Sequence, residues 1–232
     1  MRKSIFLFLL AFASFSIGVA QDAMSDVSIV MEITKVESDD PQIGMQLEMM
    51  KGSKTEMYIK GKKSMTKMDM MGGMIKMNML SDEETDNMDM TFDAMGQKMW
   101  INSKVSESKN DPAKKAVIDG AKIDVDKSKT KTIAGYDCYL VKVSSKENPD
   151  MSFETYVTEK LVPNSNMLQG FEGVQLPGFP LEYTLVNPML RLTSTAKQVK
   201  MGVDDTKFGI KTDGFKKITM DEFKTMMGGF GF

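Results

Sequence analysis

The sequence predicts a mainly β protein: an antiparallel sheet with one apolar, sulfur-rich face and one polar face. Three observations carry this. Twenty-five of 232 residues are methionine, and seventeen of them lie between Met24 and Met99. Many are spaced two apart, and residues i and i+2 of a strand share a face. Short alternating runs are separated by Gly-containing turns, with no helical period between them, which describes a meander and not a βαβ succession.

The alternation is visible run by run. Met45-Gln-Leu47-Glu-Met49, Met57-Tyr-Ile59, Met68-Asp-Met70, Ile75-Lys-Met77-Asn-Met79 and Met88-Asp-Met90-Thr-Phe92 all read apolar, polar, apolar. Strands are expected at 27–37, 44–51, 54–61, 63–71, 74–81, 86–93 and 97–103. Gly52-Ser53, Gly61-Lys62 and Gly72-Gly73 mark tight turns, the first two leaving room only for hairpins. Ser81 to Thr85 is an acidic turn.

Ser103 to Lys122 breaks the regularity, with Asn110-Asp111-Pro112 followed by a short helical pattern at 113–118. Strands resume at 129–133, 136–146, 151–158, 180–187 and 190–201. Val162 to Pro177, rich in Asn, Gly and Pro, is expected to cross an end of the sheet. Thr219-Met-Asp-Glu222 matches a capping box that opens a helix through Met227, stopped by Gly228-Gly229.

The first twenty residues read as a cleavable export signal. Arg2 and Lys3 precede a largely apolar stretch from Ile5 to Val19, and Gly18-Val19-Ala20 is a small-x-small cleavage site. The stretch is too short and interrupted for a membrane helix, which needs about 20 apolar residues. Residues 21–232 are then expected to form one β-rich domain of 212 residues, periplasmic or secreted, with no transmembrane segment. That domain carries 28 Lys and Arg against 32 Asp and Glu. This balance offers no basic stripe for nucleic acid.

Composition narrows the chemistry further. There is no His, which removes the commonest general base and the commonest zinc ligand. No Gly-x-Ser-x-Gly, phosphate-cradling Gly loop or paired Cys motif is present. The expectation is a non-enzymatic protein without a cofactor. Cys138, the single cysteine, sits at a strand start in Gly135-Tyr-Asp-Cys-Tyr-Leu-Val and reads as a buried structural thiol. Trp100, between Met99 and Ile101, reads as core or cavity rim.

The methionine face admits three readings. It could be a core that uses Met to fill irregular gaps. It could be the wall of a site for an apolar ligand, because Met-rich surfaces re-pack around varied shapes. It could hold Cu(I) through the thioethers of Met65, Met68, Met70, Met71, Met74, Met77 and Met79 around the Gly72-Gly73 hairpin. Against copper, Leu47, Ile59, Ile75 and Phe92 substitute for Met at equivalent positions, which an apolar wall tolerates and a ligand set does not. Against a plain core, flexible Met specifies packing less well than Leu, Ile or Val. The expected ligand-binding residues are therefore Met45, Leu47, Met49, Met57, Ile59, Met68, Met70, Met77, Met79, Met88, Met90 and Phe92. The expected partner is an apolar small molecule or lipid, with an envelope protein as a further partner. An envelope module without a small ligand is the remaining alternative.

Three motifs in order carry a resemblance. Thr132-Ile-Ala-Gly-Tyr-Asp-Cys-Tyr139 is followed by Phe153-Glu-Thr-Tyr-Val-Thr-Glu-Lys160 and then Gly173-Val-Gln-Leu-Pro-Gly-Phe-Pro-Leu-Glu182. This order resembles an uncharacterised family of exported bacterial proteins, the GLPGLI-like group of DUF type. In this chain the turn reads Gln175-Leu-Pro-Gly-Phe179, and Tyr156 stands where the family has Trp. Such families are distantly similar to lipoprotein-carrier folds of the LolA, LolB, LppX and RseB types. The resemblance implies a single curved antiparallel sheet, open or a half barrel, whose concave face holds acyl chains under helical lids. The lid candidates are 107–120, 163–172 and 220–227.

Overall fold

The computed structural model describes residues 23–24, 26–109, 119–146, 150–163 and 174–228. The expected export signal, the expected 113–118 helical pattern and most of the 107–120 and 163–172 lid candidates lie outside the described residues.

The chain is mainly β. Twelve strands form one open sheet in the order β14-β7-β6-β5-β4-β3-β2-β13-β12-β10-β9-β8. The first meander comprises β2 (Asp26–Glu37), β3 (Lys54–Lys60), β4 (Lys63–Met70), β5 (Ile75–Asp82), β6 (Asn87–Ala94) and β7 (Gln97–Ser103). The second comprises β8 (Ala121–Ile133), β9 (Tyr136–Ser145), β10 (Ser152–Thr158), β12 (Phe179–Val186) and β13 (Arg191–Met201). The pairing of β13 with β2 joins the two meanders. All neighbours are antiparallel except β14 (Lys216–Lys217), which runs parallel to β7. A separate pair joins β1 (Ala23–Met24) to β11 (Val162–Pro163).

The two meanders differ in regularity, and that difference positions the site. Register runs without a shift from β2 through β7. The second meander and its seam with β2 are broken by irregularities at Thr193/Ser194, Ala196/Gln198, Tyr156/Val157 and Asp126/Thr130. Bulges of this kind increase local twist and bend the bulged strand. The sheet curls accordingly: Lys131 on β8 reaches Glu182 on β12, Nζ to Oε1 2.6 Å, across two intervening strands. In a flat sheet those strands would stand about 14 Å apart. Glu182 is buried and also accepts a hydrogen bond from the Thr195 hydroxyl at 2.8 Å.

Glycine is required at one close approach. A Cβ on Gly178 would lie 2.6 Å from the Thr158 carbonyl oxygen and 2.8 Å from its carbon. This explains the Pro177-Gly178 step, which brings the chain into β12 against the end of β10. The following residue, Phe179, is buried in a core with Val27, Ile29, Met31, Ile59 and Leu181. A second cluster unites Val141, Val143, Val157 and Val174.

One expected strand is a helix. Residues 44–51 were expected to be extended, but Pro41–Glu48 forms α1. The cause is local. Asp40 Oδ1 accepts hydrogen bonds from the N–H groups of Gln42 (2.7 Å) and Ile43 (3.3 Å), as an N-cap does, and Pro41 occupies the first helical position. Leu47 is buried, whereas Met45 and Met49, four residues apart, share the exposed side. Replacing Asp40 by Ala should cost about 1 kcal/mol through loss of the cap. The check is a lowered urea midpoint with an unchanged slope.

The edge strand β8 begins eight residues before the expected position 129. Its exposed, charged sequence Lys122-Ile-Asp-Val-Asp-Lys127 hid it, and such charge is how sheet edges avoid pairing with other chains.

Candidate ligand-binding face

The unbroken register of the first meander assembles the methionine face row by row. Residues directly opposite across an antiparallel pair project to the same side. One row runs Met31–Thr55–Met68–Met77–Phe92–Met99. The next runs Ile29–Met57–Thr66–Met79–Met90–Ile101, and a third Val27–Ile59–Ser64–Ser81–Met88–Ser103. Met70, Ile75 and Ala94 close the face at one end. Nine of the twelve expected residues thus share one face: Met57, Ile59, Met68, Met70, Met77, Met79, Met88, Met90 and Phe92. Met45 and Leu47 lie on α1 and Met49 just beyond it, so none of the three belongs to that face.

Burial along the face is uneven. Ile29 and Ile59 are sealed in the core shared with the second meander. At the other side, Met90, Phe92, Met99 and Ile101 pack with Ile218, and with the partly buried Met220 and Phe223. Met68, Met70, Ile75, Met77 and Met79 on β4 and β5 remain partly exposed between these two sealed flanks, with Ile75 and Met77 also packed against the Phe92 cluster.

The cover over β6 and β7 comes from the C-terminus. Short helices α2 (Val105–Lys109) and α3 (Met220–Gly228) follow β7 and β14. The expected capping box starts α3: the Thr219 N–H donates to Glu222 Oε2 at 2.7 Å, and the Glu222 N–H donates to Thr219 Oγ1 at 3.2 Å. Backbone pairing of β14 with β7, continued by the Ile218 N–H on the Trp100 carbonyl at 2.9 Å, fixes where the helix begins. Phe223 then meets Phe92 edge to face, with ring centroids 5.5 Å apart. Sequence reasoning found this helix but not its docking place. It also left Met99 and Ile101 out of the face, although their spacing continues the period-two pattern.

The opposite face is polar, as the alternation predicts, except along the row Tyr58–Met65–Leu80, where Tyr58 and Met65 are buried. Lys54, Asp69, Lys76, Asp93 and Lys98 stand opposite one another in sequence across β3 to β7, so charge alternates in sign along the row. Asn78 donates to the Thr91 hydroxyl at 3.1 Å. Trp100 lies on this side, not in the core: its indole N–H donates to Asp89 at 2.9 Å, with the Lys217 amine over its ring. The Tyr58 hydroxyl is pushed up to about 12 by burial, reinforced by its hydrogen bond to Glu56.

The methionines proposed for copper are divided by the fold. Met65 is buried on the polar side, opposite Tyr58, and Met71 and Met74 sit in the turn between β4 and β5. Only Met68, Met70, Met77 and Met79 share the open strip. Among the described residues no three His, Cys, Asp or Glu side chains gather as a metal group. Cys138 is buried, and burial followed by the charge of Asp137 pushes its thiol up to about 11. A thiol held protonated in this way is a poor nucleophile. No helix among the described residues is long and apolar enough to cross a membrane.

No protein-family model matches this chain, and no curated protein matches it in sequence. Solved structures match in three dimensions. MucB of Pseudomonas aeruginosa, solved with MucA, is 10% identical with a TM-score of 0.36, covering 83% of this chain and 58% of that one. This chain therefore spans less than two thirds of the MucB length. A DUF1329 family protein from Desulfovibrio piger ATCC 29098 is 12% identical, with a TM-score of 0.34 and coverage of 82% and 91%. LprF from Mycobacterium bovis is 9% identical, with a TM-score of 0.32 and coverage of 80% and 90%. By its own register the chain is a mainly β, open-sheet protein, distantly similar in structure to these three.

Proposed function

We propose that this chain is an exported, non-enzymatic binding protein that holds a lipid or another apolar ligand on its methionine face. The observation that carries the reading is the partly exposed strip of Met68, Met70, Ile75, Met77 and Met79 between two sealed flanks. A plain core would close such a strip. A ligand's hydrocarbon would bury it, at about 25 cal/mol per Å² before association costs. Unbranched thioether side chains suit a ligand of variable shape because they re-pack at little cost. α3, resting on Phe92 through Phe223, acts as the lid over one flank. Export rests on the Arg2–Ala20 signal pattern, which also makes an envelope protein a plausible giver or receiver of the ligand.

The test is direct. Protein purified from its native envelope should carry lipid detectable by mass spectrometry, and delipidated protein should take up a fluorescent fatty-acid probe. Absence of both would leave the face a sealed structural surface and defeat the reading.

A further inference from the structure

Nine large apolar side chains stand exposed among the described residues, and five of them gather at one end of the sheet. All five are methionine: Met45 and Met49 at α1, Met74 after the β4–β5 turn, Met95 in the β6–β7 turn, and Met189 in the β12–β13 turn. Met45 is 74% and Met95 77% exposed. The antiparallel register places these connections at the same end, because β2, β4, β6 and β12 all finish there.

Hydrogen bonds tie the loops into one rim. The Ser38 hydroxyl donates to the Met189 carbonyl at 2.7 Å. The Met71 N–H donates to Ser53 Oγ at 3.2 Å, and the Met95 N–H to the Met74 carbonyl at 3.0 Å. Met71 and Met95 both hold a φ of +53°, a left-handed conformation that turns normally give to Gly, Asn or Asp. Methionine at such positions works against turn chemistry, and at Met95 the side chain projects into solvent.

Two features identify what such a rim fits. The five side chains come from α1 and its C-terminal end, where Met45 and Met49 share one side, and from three turns, and they spread along the end of the sheet, which suits a fluid acyl boundary and not a shaped protein partner. Beside them, on the polar face, a groove of about 440 Å³ is lined by Lys51, Lys54, Lys67 and Lys76 with only Glu56 and Asp69 as acids. Lys51 pairs with Glu48 and the Lys67 amine lies over the Tyr58 ring, whereas the amines of Lys54 and Lys76 enter no ion pair among the described residues. Lys54 and Lys76, on the side of the rim that carries Met74 and Met95, match an interface carrying phosphate headgroups, while Asp39 and Asp40 line a recess beside Met189 on the other side.

We propose that this end of the sheet is a docking surface for an anionic lipid surface. The rim methionines enter the acyl boundary while Lys54 and Lys76 meet headgroup phosphates. The end row of the methionine face, Met70–Ile75–Ala94, adjoins the turns that carry Met74 and Met95, so docking opens a path from the bilayer onto the binding strip. That path rests on the proposed lipid-binding function; the docking itself does not.

The experiment is co-sedimentation with phosphatidylcholine vesicles with and without phosphatidylglycerol. It compares the purified protein with a variant carrying Met45→Gln, Met49→Gln, Met74→Gln, Met95→Gln and Met189→Gln, and with a Lys54→Gln/Lys76→Gln variant. Unfolding midpoints confirm that each is folded, and single substitutions replace the fivefold variant if it is not. The parent protein should sediment with phosphatidylglycerol vesicles. The methionine variant should lose affinity about tenfold or more, and the lysine variant should lose its preference for anionic vesicles. Fatty-acid probe uptake in solution, measured in parallel, should be the same in parent and methionine variant. Rim-dependent sedimentation without probe uptake would uphold the docking surface and defeat the binding function. A parent that ignores both vesicles, a methionine variant that sediments like the parent, or a rim-dependent dimer without vesicle binding would overturn the docking proposal.

Discussion

Phe179→Ala should be the most destabilising of the single substitutions considered, lowering stability by about 3–5 kcal/mol. The ring is 1% exposed and packs in the cluster that joins the two meanders, with Ile29, Ile59 and Leu181 among its members. Removal of its atoms forfeits their transfer energy and leaves a cavity that cannot collapse. The chain just before it is pinned by Gly178 against the Thr158 carbonyl. A domain's total stability is about 5–15 kcal/mol, so a loss of this size consumes a large part of it. Urea denaturation followed by circular dichroism measures it. A loss below about 1 kcal/mol, the range of a surface change, would show that the cluster joining the two meanders is not the core of the fold.

The double variant Met77→Asn/Met79→Asn should lower affinity for an apolar probe about 10- to 100-fold while leaving the fold intact. Both residues lie on β5 in the middle of the open strip, opposite Met68 and Phe92 in one row and Thr66 and Met90 in the next. Each is only partly buried, and because Met77 also packs against the Phe92 cluster, urea midpoints measured in parallel separate lost binding from lost stability. Full burial of one such side chain contributes about 1.5–3 kcal/mol; the part of both still exposed amounts to about one side chain, and each 1.4 kcal/mol is a tenfold change in affinity. Met201→Asn, exposed at the other end of the sheet, serves as the matched control and should change nothing. An unchanged probe titration for the β5 variant would move any ligand off this face.

Both predictions depend on how far local pattern reaches. In the first meander the period-two alternation and the two-residue turns were sufficient to place β7 at 97–103 and to put nine methionine-face residues on one side. The reason is that no bulge interrupts β2 to β7, so alternation along a strand translates without loss into a face across strands. The same alternation misled at Met45-Gln-Leu47-Glu-Met49. Residues i and i+4 share a face on a helix as well as on a strand, and only the Asp40-Pro41 cap decides between them. β8 was legible only from 129, because an edge strand exposed on both sides needs no apolar period. Burial of Cys138 was legible from its flanking alternation, but Trp100 was not: its apolar neighbours Met99 and Ile101 occupy the other face.

The sequence by itself determined the class of the protein: a mainly β chain with a soft apolar face, an export signal pattern and no histidine chemistry. Those properties are written in spacing and composition, which act over a few residues. Only the tertiary structure decided which methionines remain open, that α3 seals β6 and β7, and that five loop methionines share one end of the sheet. These depend on contacts between residues far apart in the chain, set by sheet register and by the curl that the bulges impose.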